Sequence, residues 1–296
     1  MLQFIQHLAR QFLEKRNDRR NNLDSDLLRK KKEITNEFNS RYRGDVRKLL
    51  SALEGYYSIS SSRIIMNDSE IFKIEDDIER KSVKWKSDSL RLGGLEAHTE
   101  LFVAACSFFN APKILEVGVA NGYSSSLFHE ILDRNGALGC VHSIDLPSFE
   151  SDLIKSVNFI QLFKIKTHKF IEKIAYPKEG VRPDKMWRGG VVPNNKYCGW
   201  LIPIHLRLKL DSKLFVGNAF NILKELPEGH YDVILLDAMK DEELRIELLN
   251  KALKKAKKGS FIIQDGGWRN SAVKRFCDEH GFQYKEVGRV SIIRVV

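Results

Sequence analysis

The segment Ile114-Leu115-Glu116-Val117-Gly118-Val119-Ala120-Asn121-Gly122-Tyr123-Ser124-Ser125 constrains the fold more than any other part of the chain. A short, mostly apolar run suits a buried strand; Gly118 ends it, Gly122 follows, and Tyr123 opens a stretch with helical spacing. A chain that leaves a strand this abruptly and enters a helix begins a βα unit, whose next strand runs parallel to the first. Glycines at 118 and 122 let the main chain turn sharply and approach a ligand with no Cβ in the way. Free N–H groups at the helix start favour a carboxylate or phosphate. Alone, the Gly-x-x-x-Gly spacing is a weak signal. A nicotinamide-dinucleotide fingerprint would read G-x-G-x-x-G, and Val119-Ala120 fill that spacing differently.

The same rhythm continues downstream. Strands are expected at Ile114–Val117, Cys140–Ile144, Leu214–Val216, Tyr231–Leu236 and Phe261–Gln264, with helices at Tyr123–Leu132, Glu242–Lys257 and Ser271–His280. Repeated βα units imply an α/β fold, a parallel sheet with helices on both faces. Two closing strands around Tyr284 and Ile292 have only Gly288 and its neighbours between them, so they read as a hairpin whose last strand runs antiparallel to the rest.

Upstream, residues 1–91 are charged and helical in pattern, with apolar Leu27, Leu28, Ile34 and Phe38, then Leu49, Leu50 and Leu53. They read as an N-terminal helical accessory region. The Gly93-Gly94 break leads into Leu95 to Ala105, a core-packed helix ahead of the first strand, so the second domain runs over 92–296. Between Pro147 and Asp211 the rhythm stops. That stretch carries Pro177, Pro183, Pro193, Pro203, Gly189-Gly190, Trp187 and Trp200, and is expected to be a substrate-covering insertion with a helix near Phe163–Ile174.

Composition removes several classes. A chain of 296 residues that is 43% hydrophobic and 30% charged is globular in character, and no apolar run approaches the ~20 residues of a membrane-spanning helix. Met1 to Arg20 begins amphipathic and turns strongly charged, which reads as a helix and not as a signal peptide. Cys106, Cys140, Cys198 and Cys277 are scattered without a CxxC pair, so neither a structural zinc site nor a disulfide framework is expected, and a reducing cytoplasm fits. The formal charge of +10 draws anionic partners without choosing among nucleic acid, lipid and acidic small molecules.

Strand ends carry the candidate site. The second strand ends in Asp145, where a ribose diol would lie, and Gly217-Asn218-Ala219-Phe220 forms another strand-to-turn junction, where a backbone amide or Asn218 can read an adenine edge. The fourth strand ends at Asp237, at the carboxyl edge where open α/β sheets bind ligands. Each residue also has an ordinary reading as turn glycine, helix cap or core aromatic. The ordered set makes coincidence improbable.

This set, Glu116-Val117-Gly118 to Tyr123-Ser124 with Asp145, the Gly217 turn and Asp232 to Lys240, resembles the class I S-adenosylmethionine-dependent methyltransferases over roughly Leu92 to Val296. Within that class the chain is most similar to small-molecule O-methyltransferases of the catechol and caffeoyl-coenzyme A type, which share the E-x-G-x-x-x-G-Y-S turn and a D-A-x-K stretch. The resemblance implies a Rossmann-like, doubly wound, mainly parallel seven-stranded sheet with an antiparallel last strand. It implies that Glu116 and Gly118, Val119, Ala120, Gly122, Tyr123 and Ser124 hold the methionine portion of S-adenosylmethionine, Asp145 the ribose, and Gly217, Asn218, Ala219 and Phe220 the adenine, with Asp237 beside them.

Methyl transfer to a hydroxyl needs an aligned nucleophile and help in removing its proton. The resemblance implies a divalent cation such as Mg²⁺ between Asp237 and Asp265, and Lys240 as base. Gly266 stands where the family's third metal ligand would be Asn, so a water, Gln264 or a residue of the insertion would have to replace it, and Asp265 also has an ordinary reading as a turn residue capping the next helix. Trp187, Tyr197, Trp200 and Trp268 are candidate walls of an acceptor pocket. His98, His142, His168 and His205 are isolated and receive no catalytic role.

The expected partner is a small-molecule acceptor, with a homodimer compatible. A nucleic-acid methyltransferase is the second reading, prompted by the basic charge; the N-P-P-Y type motif that holds a base in amino-methylating enzymes is absent. A catalytically silent cofactor-binding partner subunit is the third.

Overall fold

A computed structural model describes residues 29–30, 32–62, 66–84, 98–119, 123–134, 139–145, 211–216, 218–238, 241–266 and 271–296. A helix over 32–42, α1, opens the described chain. It is followed by α2 (Val46–Tyr57), α3 (Asp68–Lys84), α4 (Thr99–Cys106), β1 (Lys113–Val117), α5 (Tyr123–Arg134) and β2 (Cys140–Asp145). Then come β3 (Asp211–Val216), α6 (Ala219–Glu225), β4 (Tyr231–Leu236), α7 (Glu242–Lys255), β5 (Ala256–Asp265), α8 (Ala272–His280), β6 (Tyr284–Val287) and β7 (Val290–Arg294).

The strands form one sheet of order β3-β2-β1-β4-β5-β7-β6. β3, β2, β1, β4 and β5 pair in parallel, whereas β7 is antiparallel to both β5 and β6. The chain steps outward from β1 to β2 and β3, then crosses back to β4 on the other side. The strand order therefore reverses between β1 and β4, the topological switch point of an open α/β sheet.

Side-chain alternation splits the interior into two layers. Ile114, Val233, Leu235, Phe261, Ile263 and Ile292 face α2, α4 and α5, while Leu115, Val117, Ile234, Leu236, Ile262 and Ile293 face α6, α7 and α8. β4 is buried at every residue, as expected of a central strand covered by helices on both faces. Local signals position the helices. Asp45 and Asp241 cap α2 and α7 by accepting the N–H of Lys48 and Leu244, and α7 carries Glu242 and Glu243 in its first turn and Lys254 and Lys255 in its last.

The N-terminal helices are continuous with the first layer: Phe38, Leu49, Leu50, Leu53, Ile71 and Ile74 share one buried cluster with Phe102, Phe128 and Phe261. The Tyr57 hydroxyl donates to the Ile292 carbonyl at 2.7 Å and so ties α2 to β7.

Several boundaries differ from the sequence expectation. α7 ends at Lys255 and β5 begins at the next residue, where pattern reading places the helix end at Lys257 and the strand start at Phe261. Ala256 pairs with Tyr231, the register then shifts, and Val233 pairs with Phe261; the intervening Lys257, paired with Asp232 at 2.8 Å, and the exposed Lys258 interrupt the apolar run, which hides the strand from periodicity. β3 likewise starts at Asp211 instead of Leu214. Among the described residues no helix is long and apolar enough to cross a membrane. The helix expected at Met1–Arg20, the Gly93-Gly94 break, and the insertion with its helix at Phe163–Ile174 lie outside the described residues.

Candidate functional site

Gly118 sits at the tip of β1 with φ +96°, a left-handed conformation that side-chain-bearing residues rarely adopt. A Cβ there would lie 2.4 Å from the Asp237 carbonyl oxygen, so the turn and the end of β4 touch through main chain. Two hydrogen bonds lock this junction: the Gly118 N–H donates to Ile144 O at 2.9 Å, and the Asp237 N–H donates to Val117 O at 2.8 Å. The tips of β2, β1 and β4 are thereby drawn into one edge at the switch point.

Behind the turn lies Glu116, fully buried. Its carboxylate accepts the hydroxyls of Ser124 and Ser125 from the first turn of α5, and that of Ser143 on β2 at 2.9 Å. Burial pushes its pKa up to about 7, opposed by the three hydroxyls and reinforced by the negative charge of Asp145. Tyr123 is buried too, with its hydroxyl 2.9 Å from Thr99 Oγ1 of α4. Val119 is buried beside it.

Asp145 ends β2 in register with Val216 at the end of β3, and is partly exposed. Asn218 caps α6, its side-chain oxygen accepting the Phe220 N–H at 2.8 Å. Ala219 is buried, and Phe220 is partly buried with Lys251 Nζ 5.8 Å from its ring centre. Ala120, Gly122, Gly217, Lys240, Trp187, Tyr197, Trp200 and Trp268 lie outside the described residues.

At the tips of β4 and β5 the carboxyls of Asp237 and Asp265 come within hydrogen-bonding contact. Burial raises the pKa of Asp237 well above the usual carboxylate range; Asp265 adds to that rise, and Arg289 opposes it. Arg289 is the residue that sequence reading missed. Nearly fully buried, it donates from Nη2 to Asp265 Oδ2 at 3.2 Å. A Gly-Arg hairpin turn reads as solvent-facing, and only the pairing of β7 with β5 brings it here. Ser125 and Ser143 were missed as partners of Glu116 for a similar reason: Ser143 stands beside Glu116 in the β1–β2 register, which no single segment reveals.

Among the described residues, the ligand set that the resemblance implies for a divalent cation is incomplete at this pair. Gly266 offers main chain alone, and both its groups are engaged: the N–H donates to Arg289 O at 2.9 Å, and the carbonyl accepts from Arg245 Nη1 at 2.8 Å. Gln264 has its amide nitrogen committed to Leu236 O at 2.9 Å and to Asp265 O at 3.1 Å, while its side-chain oxygen, the atom that could stand in for the missing Asn, is buried without a hydrogen-bond partner among the described residues. Among the described residues no group of three His, Cys, Asp or Glu side chains is placed to hold a metal.

S-adenosylmethionine meets no such obstacle. Asn218, Asp145 and Gly118 stand at the ends of β3, β2 and β1, so an amide, a carboxylate and a main-chain turn lie side by side along one sheet edge, the order in which a nucleoside carrying an amino-acid tail would meet them.

No family model matches the chain, and no curated protein does. Among solved structures it is similar to the MNMC2 protein of Aquifex aeolicus, at 14% identity and a TM-score of 0.38 over 63% of this chain; the match spans about half, 54%, of that protein. It is similar to a putative O-methyltransferase of Klebsiella pneumoniae at 16% identity and a TM-score of 0.39, over 84% of this chain and 98% of that one. An SAH-bound methyltransferase of Podospora anserina matches at 13% identity and a TM-score of 0.41, over 84% of this chain and 95% of the other.

Proposed function

We propose that the chain is an S-adenosylmethionine-dependent methyltransferase acting on a hydroxyl of a small-molecule acceptor. One observation carries the reading: a Cβ-free turn at Gly118 lies in main-chain contact with Asp237 at the point where the strand order reverses. Open α/β sheets bind their ligands there, outside the carboxyl ends of the strands. The motif on that turn is the one that resembles the class I methyltransferases.

The cofactor supplies a methyl carbon bonded to a sulfonium. Gly118, Val119, Ala120, Gly122, Tyr123 and Ser124 hold its methionine end, with Glu116 fixing the turn from behind through Ser124 and Ser125. Asp145 takes the ribose hydroxyls, and Gly217, Asn218, Ala219 and Phe220 the adenine. Lys240, three positions after Asp237, would as the neutral amine accept the proton of the acceptor hydroxyl, whose oxygen takes the methyl carbon while the carbon–sulfur bond breaks and its electron pair stays on the sulfur of the departing thioether. The segment over 147–211 supplies acceptor contacts.

Calorimetric titration of the full chain with S-adenosylhomocysteine tests this directly. A saturable signal that weakens at least tenfold in Asp145→Ala is expected, together with loss of methyl transfer in Lys240→Ala. No heat and no saturation would overturn the reading. The +10 charge favours a second reading, a nucleic-acid acceptor. RNA or DNA binding that survives ~200 mM salt would select it, since purely electrostatic association weakens steeply over that range.

A further inference from the structure

We propose that Arg289 is the resident cation of the strand-tip acidic pair, its guanidinium balancing Asp237 and Asp265 in place of a bound divalent metal. The inference rests on reading the same strand tips as the nucleoside site, and it separates this chain from the metal-assisted chemistry that the resemblance implies.

Arg289 is fixed at three points. Its N–H donates to His98 Nε2 at 2.8 Å, its carbonyl accepts the Gly266 N–H at 2.9 Å, and its guanidinium reaches Asp265 Oδ2 at 3.2 Å. The turn that delivers it has no room to reorient: Gly288 takes φ +58°, and a Cβ on it would lie 2.4 Å from His98 Nε2. The side chain is 3% exposed and Asp265 is 8% exposed, so both charges have left water.

A guanidinium stays protonated at any pH a protein survives, and once buried it is stable only beside a counter-charge. Asp265 is that counter-charge and cannot surrender it without stranding Arg289. A hard divalent cation collects six or more oxygens, most of them anionic or carbonyl. Among the described residues it would find only Asp265 Oδ1, Gln264 Oε1 and the Asp237 carboxyl open to it, with a fixed positive charge behind them and a Gly266 carbonyl already accepting from Arg245. Acceptor binding accordingly relies on hydrogen bonds and shape and does not require chelation of a metal.

The test uses the full chain, stripped with EDTA and titrated with Mn²⁺ alone by calorimetry, alongside thermal melts with and without millimolar Mg²⁺, Mn²⁺ or Ca²⁺. Wild type is expected to give no saturable Mn²⁺ binding and an unchanged Tm. Arg289→Met is expected to melt lower and to acquire Mn²⁺ binding and Mn²⁺-dependent stabilisation, both removed by adding Asp265→Asn. Arg289→Lys, which keeps the charge, is expected to stay blind to Mn²⁺ and covers the case in which Arg289→Met does not fold. Saturable Mn²⁺ binding by wild type that disappears in Asp265→Asn overturns the proposal, as does a folded Arg289→Met that still ignores Mn²⁺. Because no nucleoside enters any arm, failure here leaves the S-adenosylhomocysteine titration untouched.

Discussion

Glu116 is fully buried with three hydroxyls donating to it, and its carboxyl titrates near pH 7 because burial outweighs those bonds. In the unfolded chain the same group titrates near its ordinary 4.5. Between those two pH values the folded protein keeps a proton that the unfolded chain has released, so stability is full below the lower value and falls as pH rises toward about 7. The loss from this one group amounts to up to about 3 kcal/mol. Glu116→Gln keeps the shape and hydrogen-bonding capacity without the titration. Urea unfolding at intervals from pH 4.5 to 7.5 is expected to show a flatter pH dependence in the variant; an unchanged slope would mean that Glu116 does not set it. The residue type was legible from the sequence, as an acid two positions before a turn glycine. Its partners were not, because Ser143 is 27 residues away and comes alongside only when β1 and β2 pair. Arg289 was hidden more deeply, since nothing local distinguishes a hairpin arginine that turns inward from one that faces water.

At the scale of elements, one guanidinium joins three helices. Arg43, at the end of α1, donates to Glu75 of α3 and to Glu100 of α4, the latter at 3.0 Å, and the neighbouring Gly44 N–H reaches the same Glu100 oxygen at 2.9 Å. Glu100 is fully buried, and burial raises its pKa while the Gly44 N–H and Arg43 pull it down. Removing the arginine strands that carboxylate. Arg43→Met is expected to destabilise the protein by about 2 kcal/mol, less than a fully enclosed pair would because the arginine is itself partly exposed. Adding Glu100→Gln to Arg43→Met is expected to recover part of that loss, since no charge is then left in the interior. Denaturant titrations of the two variants decide it, and a double variant no more stable than the single one would argue against the carboxylate as the source of the cost. None of this network shows in sequence patterning, which reads Leu95 to Ala105 as a core-packed helix and names no partner for Glu100. Patterning did locate β1 and β4, because buried parallel strands announce themselves as near-continuous apolar segments, and it found the antiparallel hairpin through the turn at Gly288. It failed at Ala256–Ser260, where two lysines interrupt the run.

Across the whole molecule, the helical region before residue 92 reads as an appendage in sequence, because its charged composition resembles that of a solvated arm. The buried cluster argues otherwise. Leu49, Leu53 and Tyr57 of α2 and Ile71 and Ile74 of α3 close the same core face as α4, α5 and the strands, and the Tyr57 ring lies 5.6 Å from that of Phe261 in the middle of β5, tilted by 55°. Stripping α1 to α3 would return Phe102, Phe261 and Ile292 to water, each worth roughly 1.5–3 kcal/mol of burial, against a net stability that for any domain is on the order of 5–15 kcal/mol. A chain cut to residues 92–296 is therefore expected to lose cooperative unfolding and to expose apolar surface, detectable as a broad thermal transition and strong binding of a hydrophobic dye. A truncated protein that melts sharply and titrates S-adenosylhomocysteine like the full chain would make the helices dispensable and leave the sheet self-sufficient. The physical expectation is the reverse: β7 and β5 meet the carboxyl pair and Arg289 at one end and α2 on one face, so the helices that finish the core also hold the strand tips in place.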